Sequence, residues 1–141
     1  MRSSVALSIQ PTDSHSPLTW AAGGLAVVSV AIAVWGLPPV DVHGPLHRFG
    51  VMDPLCGGTR AAHFALTGQW AVAWYYNPLG PLVLITAALV LLRATVGLLT
   101  RRWVDVSVTL TRRAGRALIA TALLVALGMT VRQQLLVAVL R

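Results

Sequence analysis

Three runs of apolar residues, separated by two polar stretches of unequal length, organise this chain. The first, LTWAAGGLAVVSVAIAVWGL from Leu18 to Leu37, has 20 residues and no charge. At about 1.5 Å per residue it is long enough to cross a hydrocarbon core of about 30 Å. Trp20 and Trp35 lie near its ends, where indole rings favour the headgroup zone. It is too long for the apolar stretch of a cleaved signal peptide, only Arg2 precedes it as a basic residue, and no small-x-small site follows Leu37. Pro38 and Pro39 are expected to stop the helix, because proline lacks the N–H and clashes with the preceding turn. The second run begins after Asn77-Pro78, a turn and helix-start signal, and extends from Leu79 to Leu99. Its uninterrupted part stops at Leu92, about 21 Å along, which is too short to span. Arg93 therefore belongs to the helix near one end, its guanidinium reaching toward the interface. The third run, ALIATALLVALGMTV, lies between Arg116 and Arg132. Residues 133–140 either extend that helix or lie in the interface; if they extend it, Arg132, Gln133 and Gln134 need partners at depth.

The polar stretches read differently. Residues 1–16 are expected as a mobile tail. Residues 38–78 hold His43, His47, His63, Asp41 and Asp53, and unstructured loops of that size are uncommon and often functional. In residues 101–116, Val104, Val106, Val108 and Leu110 alternate with Asp105, Ser107, Thr109 and Thr111, the period of a half-buried strand. An isolated strand is not stable, so this segment either lies on the membrane surface as a loop or is an edge that a partner completes.

Composition agrees with the bilayer. Hydrophobic residues make up 56% of the chain and charged ones 11%, against about 25% charged in soluble domains. The net charge of +7 comes from 11 arginines and no lysine against 4 aspartates and no glutamate. These arginines sit at the ends of apolar runs rather than on a solvated face interleaved with aromatics, which argues against nucleic acid. The Arg-, Ala- and Val-rich composition suits a GC-rich bacterial genome, and the expected location is the bacterial inner membrane. Five arginines in residues 101–116 mark that loop as cytoplasmic. The N-terminus is then also cytoplasmic, and residues 38–78 and the C-terminus are extracytoplasmic, which leaves Arg132 and Arg141 outside.

Candidate chemistry concentrates in DPLCGGTRAAH, residues 53–63. Asp53-Pro54 favours a turn, and RAAHFALTG reads as a short helix with Thr59 as N-cap and Gly68 as its end. Arg60, His63 and Thr67 make one polar stripe, with Phe64 and Leu66 away from it. Trp70, Trp74, Tyr75 and Tyr76 fit an outer aromatic belt, so residues 53–76 are expected to lie in the interface or dip into it. Gly57, Gly58, Thr59 and Arg60 suit a phosphate or carboxylate at a helix start, with His63, Thr67 and Asn77 as further binding residues. Asp53, Cys56 and His63, with His43 or His47, can supply mixed metal ligands, without the tight spacing of structural zinc sites. Cys56 is a candidate nucleophile, its thiol acidified by Arg60 and a helix start, with His63 as base. The remaining alternative is structural: the glycines make a tight turn, Arg60 ties it to carbonyls or phosphates, and the stripe packs between spans. A single cysteine excludes a disulfide within the chain.

The run from Asp53 to Gly80 resembles a family of small bacterial integral membrane proteins known as domain of unknown function 2752. The family pattern is Cys-Pro-x-Cys-Gly-x-Thr-Arg-Ala, then a glycine, then Asn-Pro-Leu heading a membrane helix. Pro54, Cys56, Gly57, Thr59, Arg60, Ala61, Gly68, Asn77, Pro78 and Leu79 match it. Asp53 stands at the position of the first family cysteine, so a Cys-x-x-Cys redox or metal pair is not possible here. The resemblance implies a multi-pass membrane protein and brings no established activity, substrate or cofactor.

The expected fold is all-α integral membrane: spans at 18–37, 79–99 and 116–132 within one membrane domain, 17–141, and a short interfacial or re-entrant helical segment at 53–76. Gly23, Gly24, Ala31, Ala33, Gly97, Ala120 and Gly128 permit close helix contact. The expected role is a non-enzymatic small subunit in the lipid bilayer, binding a membrane protein partner or a second copy of itself, without a cofactor. The alternatives are a lipid-headgroup or lipid-phosphate protein acting through Arg60 and His63, and a metal or thiol protein.

Overall fold

The three apolar runs become the three long helices, the second and third beginning where a side chain caps the backbone. The computed structural model describes residues 3–37, 50 and 52–136; His43 and His47 lie outside them. In chain order the elements are strand β1 (Ser4–Gln10), helix α1 (Ser16–Trp35), helix α2 (Gly58–Leu66), helix α3 (Trp70–Tyr76), helix α4 (Leu79–Thr100), strand β2 (Trp103–Thr109) and helix α5 (Arg112–Leu135). Helix α1 starts two residues earlier than expected, with Pro17 in its first turn, where a missing N–H costs nothing. It ends at Trp35, ahead of the prolines expected to stop it. Helix α5 starts at Arg112 because Thr111 caps it: its hydroxyl oxygen accepts the Ala114 N–H at 3.2 Å.

Helices α1, α4 and α5 are long and apolar enough to cross a membrane, with mean hydropathies of 1.9, 2.4 and 1.8 over their best windows. Only 11%, 17% and 6% of those windows is buried within the protein. Apolar surface left that open is unfavourable in water, at about 25 cal/mol per Å², and is at home among lipid tails.

The all-α expectation takes one correction. Strands β1 and β2 form a two-stranded antiparallel sheet, in register from Ser4 opposite Thr109 to Gln10 opposite Trp103. The alternation read in residues 104–110 is a strand edge, and the segment that completes it is the chain's own N-terminus. Ser4–Gln10 is therefore strand and not tail. Val5, Leu7 and Ile9 stand opposite Val108, Val106 and Val104, and since paired residues share a face, all six lie on one side of the ribbon.

The chain divides into two compact units, Met1–Ala26 with Thr86–Thr121, and Val27–Ile85 with Ala122–Arg141. The first holds the ribbon, with Ala22, Ala94 and Trp103 buried. The second holds α2 and α3, with Met52, Cys56, Ala61, Ala65 and Ala73 buried among its apolar residues and Asn77 and Gln133 fully buried among its polar ones.

Candidate functional site

In the second unit the quoted motif is built by its backbone. Asp53 folds a turn in which its Oδ1 accepts the Leu55 N–H at 2.8 Å. Cys56 N–H donates to the Asp53 carbonyl and Gly58 N–H to that of Leu55. Gly57 then takes φ +77°, a left-handed conformation that glycine adopts without strain, and helix α2 follows at once. The helix has no side-chain cap, and Thr59, expected as N-cap, is its second residue. The Gly58 amide is already used in the turn, so it is not available to an anion.

Asn77 joins the two halves of the motif. It is fully buried, and its Nδ2 donates to the carbonyls of Pro54 and Cys56, both at 3.0 Å. Its Oδ1 accepts the Leu79 N–H at 2.9 Å, capping α4. One side chain thus starts a long helix and pins the turn that starts a short one. Three residues on, Gly80 permits the close approach of α2: a Cβ there would stand 2.7 Å from the Ala61 Cβ and 3.2 Å from the Gly58 oxygen.

Arg132, Gln133 and Gln134 find the partners that an extended helix α5 needs. The Arg132 guanidinium donates to the Tyr75 carbonyl at 2.7 Å and to those of Trp74 and Tyr76 at 3.4 Å. These are the last carbonyls of α3, which have no partner inside that helix. Gln133 Nε2 donates to the Tyr76 carbonyl at 3.1 Å. Gln134 accepts the Met52 N–H at 3.0 Å and donates to the Gly50 carbonyl at 3.3 Å. Sequence reasoning required these partners without being able to say where they were.

Cys56 is buried, its Sγ 3.3 Å from Met52 Sδ, with Tyr76 and Leu136 packed against the pair. Thr67 donates back to the carbonyls of His63 and Phe64 at 3.0 and 3.1 Å, and Gly68 follows at φ +82°, ending α2 where expected. Arg60 is half-buried and has a partner. His63 Nδ1 is buried without a hydrogen-bond partner, its ring edge-on to Phe64, which stacks on Tyr76 at 5.2 Å. Among the described residues, no three of His, Cys, Asp and Glu stand close enough together to hold a metal ion.

The first unit contains a polar cluster that sequence reasoning missed. Arg93 does not merely reach for the interface: its Nη1 meets Asp13 Oδ1 at 2.9 Å, its Nε donates to the Val104 carbonyl, and its guanidinium lies 5.6 Å over the Trp103 ring. Its Nη2 is buried without a partner. Asp13 also accepts the Thr19 hydroxyl at 2.7 Å and the His15 N–H at 3.0 Å. Partial burial acts to raise the Asp13 carboxyl, but the Thr19 and Arg93 hydrogen bonds, the His15 amide and the Arg93 charge outweigh it and hold it below 3.8. His15, read as a tail residue, has Nδ1 2.9 Å from Asp105 Oδ1, which also accepts the Ser14 hydroxyl. The available signal was that Arg93 interrupts an apolar helix and needs an acid, and the aspartates are few.

Residues 46–103 match the model of a family described as Protein of unknown function (DUF2752). That stretch carries both halves of the motif joined by Asn77 and takes in neither α1 nor α5, and it is the family that the run from Asp53 to Gly80 resembles. No curated protein and no solved structure matches the chain.

Proposed function

We propose that this is a non-enzymatic small multi-pass membrane protein, a subunit that binds a membrane protein partner or a second copy of itself through the element at residues 52–76. The observation that carries the reading is Asn77. Both N–H groups of its amide go to the Pro54 and Cys56 carbonyls and its oxygen accepts the Leu79 amide, so the side chain is committed to the turn and to the start of α4. Such a network makes a rigid cap rather than a reaction centre. The cap leaves Leu55, Leu66, Trp70, Trp74 and Tyr75 exposed, the residue types that interfaces use. The orientation belongs to the same proposal: N-terminus and residues 100–116 cytoplasmic, residues 38–78 extracytoplasmic, in a bacterial inner membrane. Of the two arginines that speak against this scheme, Arg132 caps the last carbonyls of α3 and Arg141 lies outside the described residues.

A second reading, an anionic lipid headgroup bound beside Gly57, Gly58, Thr59, Arg60 and His63, has one observation in its favour: the partnerless, buried Nδ1 of His63, one helical turn beyond Arg60. Arg60→Ala separates the two. Under the structural reading, the variant melts lower in detergent by the same margin with or without added phosphatidylglycerol. Under the lipid reading, it loses the stabilisation that the lipid gives the wild type.

A further inference from the structure

The two faces of the β1–β2 ribbon have opposite fates. The face carrying Trp103 and Asp105 is used: Trp103 is buried against Gly97, where a Cβ would fall 2.5 Å from the indole, and Asp105 holds His15 and Ser14. The other face is three apolar cross-strand pairs, Val5 with Val108, Leu7 with Val106 and Ile9 with Val104. These six side chains are 42% to 74% exposed. A two-stranded ribbon is marginal by itself and needs something over its apolar face, and a contiguous patch of this kind marks an interaction site.

The route of the chain gives the level of that face. Helix α4 ends at Thr100, and the backbone turns at Arg101, which takes φ +55°. Strand β2 then starts back alongside the helix, with Trp103 against Gly97 and the Val104 carbonyl on Arg93. Arg93 lies seven residues before the helix end, about 10 Å along the axis. The ribbon therefore begins beside the last two turns of a helix long and apolar enough to cross a membrane, with its apolar face turned from the protein. Arg101 and Arg102 precede β2; Arg112, Arg113 and Arg116 follow it; all five are exposed.

We propose that the ribbon is a membrane-surface element: its apolar face lies in the leaflet where α4 ends, and the flanking arginines hold the phosphates of anionic lipids. An apolar face bordered by cationic residues is the arrangement that binds such a surface. A second copy seated on the same face would bring its own five arginines against these five.

Spin labels on adjacent residues of β1 test this, because neighbours in a strand point to opposite faces. Full-length Leu7→Cys and Ala6→Cys are labelled and placed in nanodiscs, one copy each, of phosphatidylcholine with phosphatidylglycerol; wild type, whose one cysteine is buried, is the labelling control. The label at position 7 is expected to collide with oxygen several-fold more, relative to aqueous nickel chelate, than the label at position 6. That contrast is expected to shrink when phosphatidylglycerol is omitted, and equally when Arg112, Arg113 and Arg116 are changed to Gln. Equal access of the nickel chelate to both positions overturns the proposal. So does a contrast indifferent to anionic lipid and to the arginines. Spin–spin broadening at position 7 in vesicles, relieved by diluting with unlabelled protein, overturns it in favour of a second copy.

Discussion

Asn77 and Gly80 show how much of the second unit depends on single atoms. Asn77→Ala leaves the Pro54 and Cys56 carbonyls and the Leu79 amide without the partner that the buried side chain supplies. Each buried group so orphaned costs about 1–3 kcal/mol, and a clear fall in the melting temperature of the detergent-solubilised protein is expected. Asn77→Asp is expected to fall short of rescue, since it keeps the acceptor for Leu79 but has no N–H for the two carbonyls. Gly80→Ala acts in the opposite sense, by overfilling: its methyl would meet the Ala61 methyl at 2.7 Å. The expected cost is about 1–3 kcal/mol, and Ala61→Gly added to it is expected to return part of that loss. Additivity of the two changes in thermal melts would show that the contact does not exist. The motif letters were legible in the chain, and so was the turn they make. That an asparagine more than twenty residues on would complete that turn was not, because local propensity carries no record of which distant amide meets which carbonyl.

Among the elements, the start of α1, the end of α4 and strand β2 are tied together by charge. Asp13 accepts from Thr19 and His15 at the helix start and pairs with Arg93 of α4, which reaches on to Val104 of β2. Its carboxyl is held below its ordinary value of 3.8, so its folded form is the better acid. The stability it contributes is thus present above pH 3.8 and is lost as pH falls through the lower folded value. Thermal melts from pH 6 downward are expected to decline at the acid end in the wild type, with a shallower decline in Asp13→Asn, which is less stable at neutral pH. Identical acid limbs in the two proteins would remove Asp13 from this account. The alternation in β2 was evident because Asp105, Ser107 and Thr109 are plainly polar between valines. The same alternation in β1, Val5, Leu7 and Ile9 between Ser4, Ala6, Ser8 and Gln10, passes for a polar tail until a partner strand exists to give it a face.

For the molecule as a whole, the proposed orientation makes a direct prediction. In intact cells, Arg113→Cys is expected to resist a membrane-impermeant maleimide until the membrane is opened, whereas Leu55→Cys, exposed on the cap, is expected to react from outside. The reverse pattern would invert the scheme and take with it the reading of residues 101–116 as the arginine-rich inner loop.

Three apolar runs of near-spanning length, the helix start at Asn77-Pro78, the stop at Gly68 and the need of Arg132, Gln133 and Gln134 for partners in an extended third helix all follow from the order of residues. Each rests on length, hydropathy or the backbone preference of one or two neighbours, and such terms act along the chain. Tertiary structure alone chose the companions: Asp13 for Arg93, the last carbonyls of α3 for Arg132, the N-terminal strand for β2, and Asn77 for the Cys56 turn. A hydrogen bond or an ion pair forms between whichever groups folding brings within about 3 Å, and that distance is a property of the packed chain, not of spacing along it.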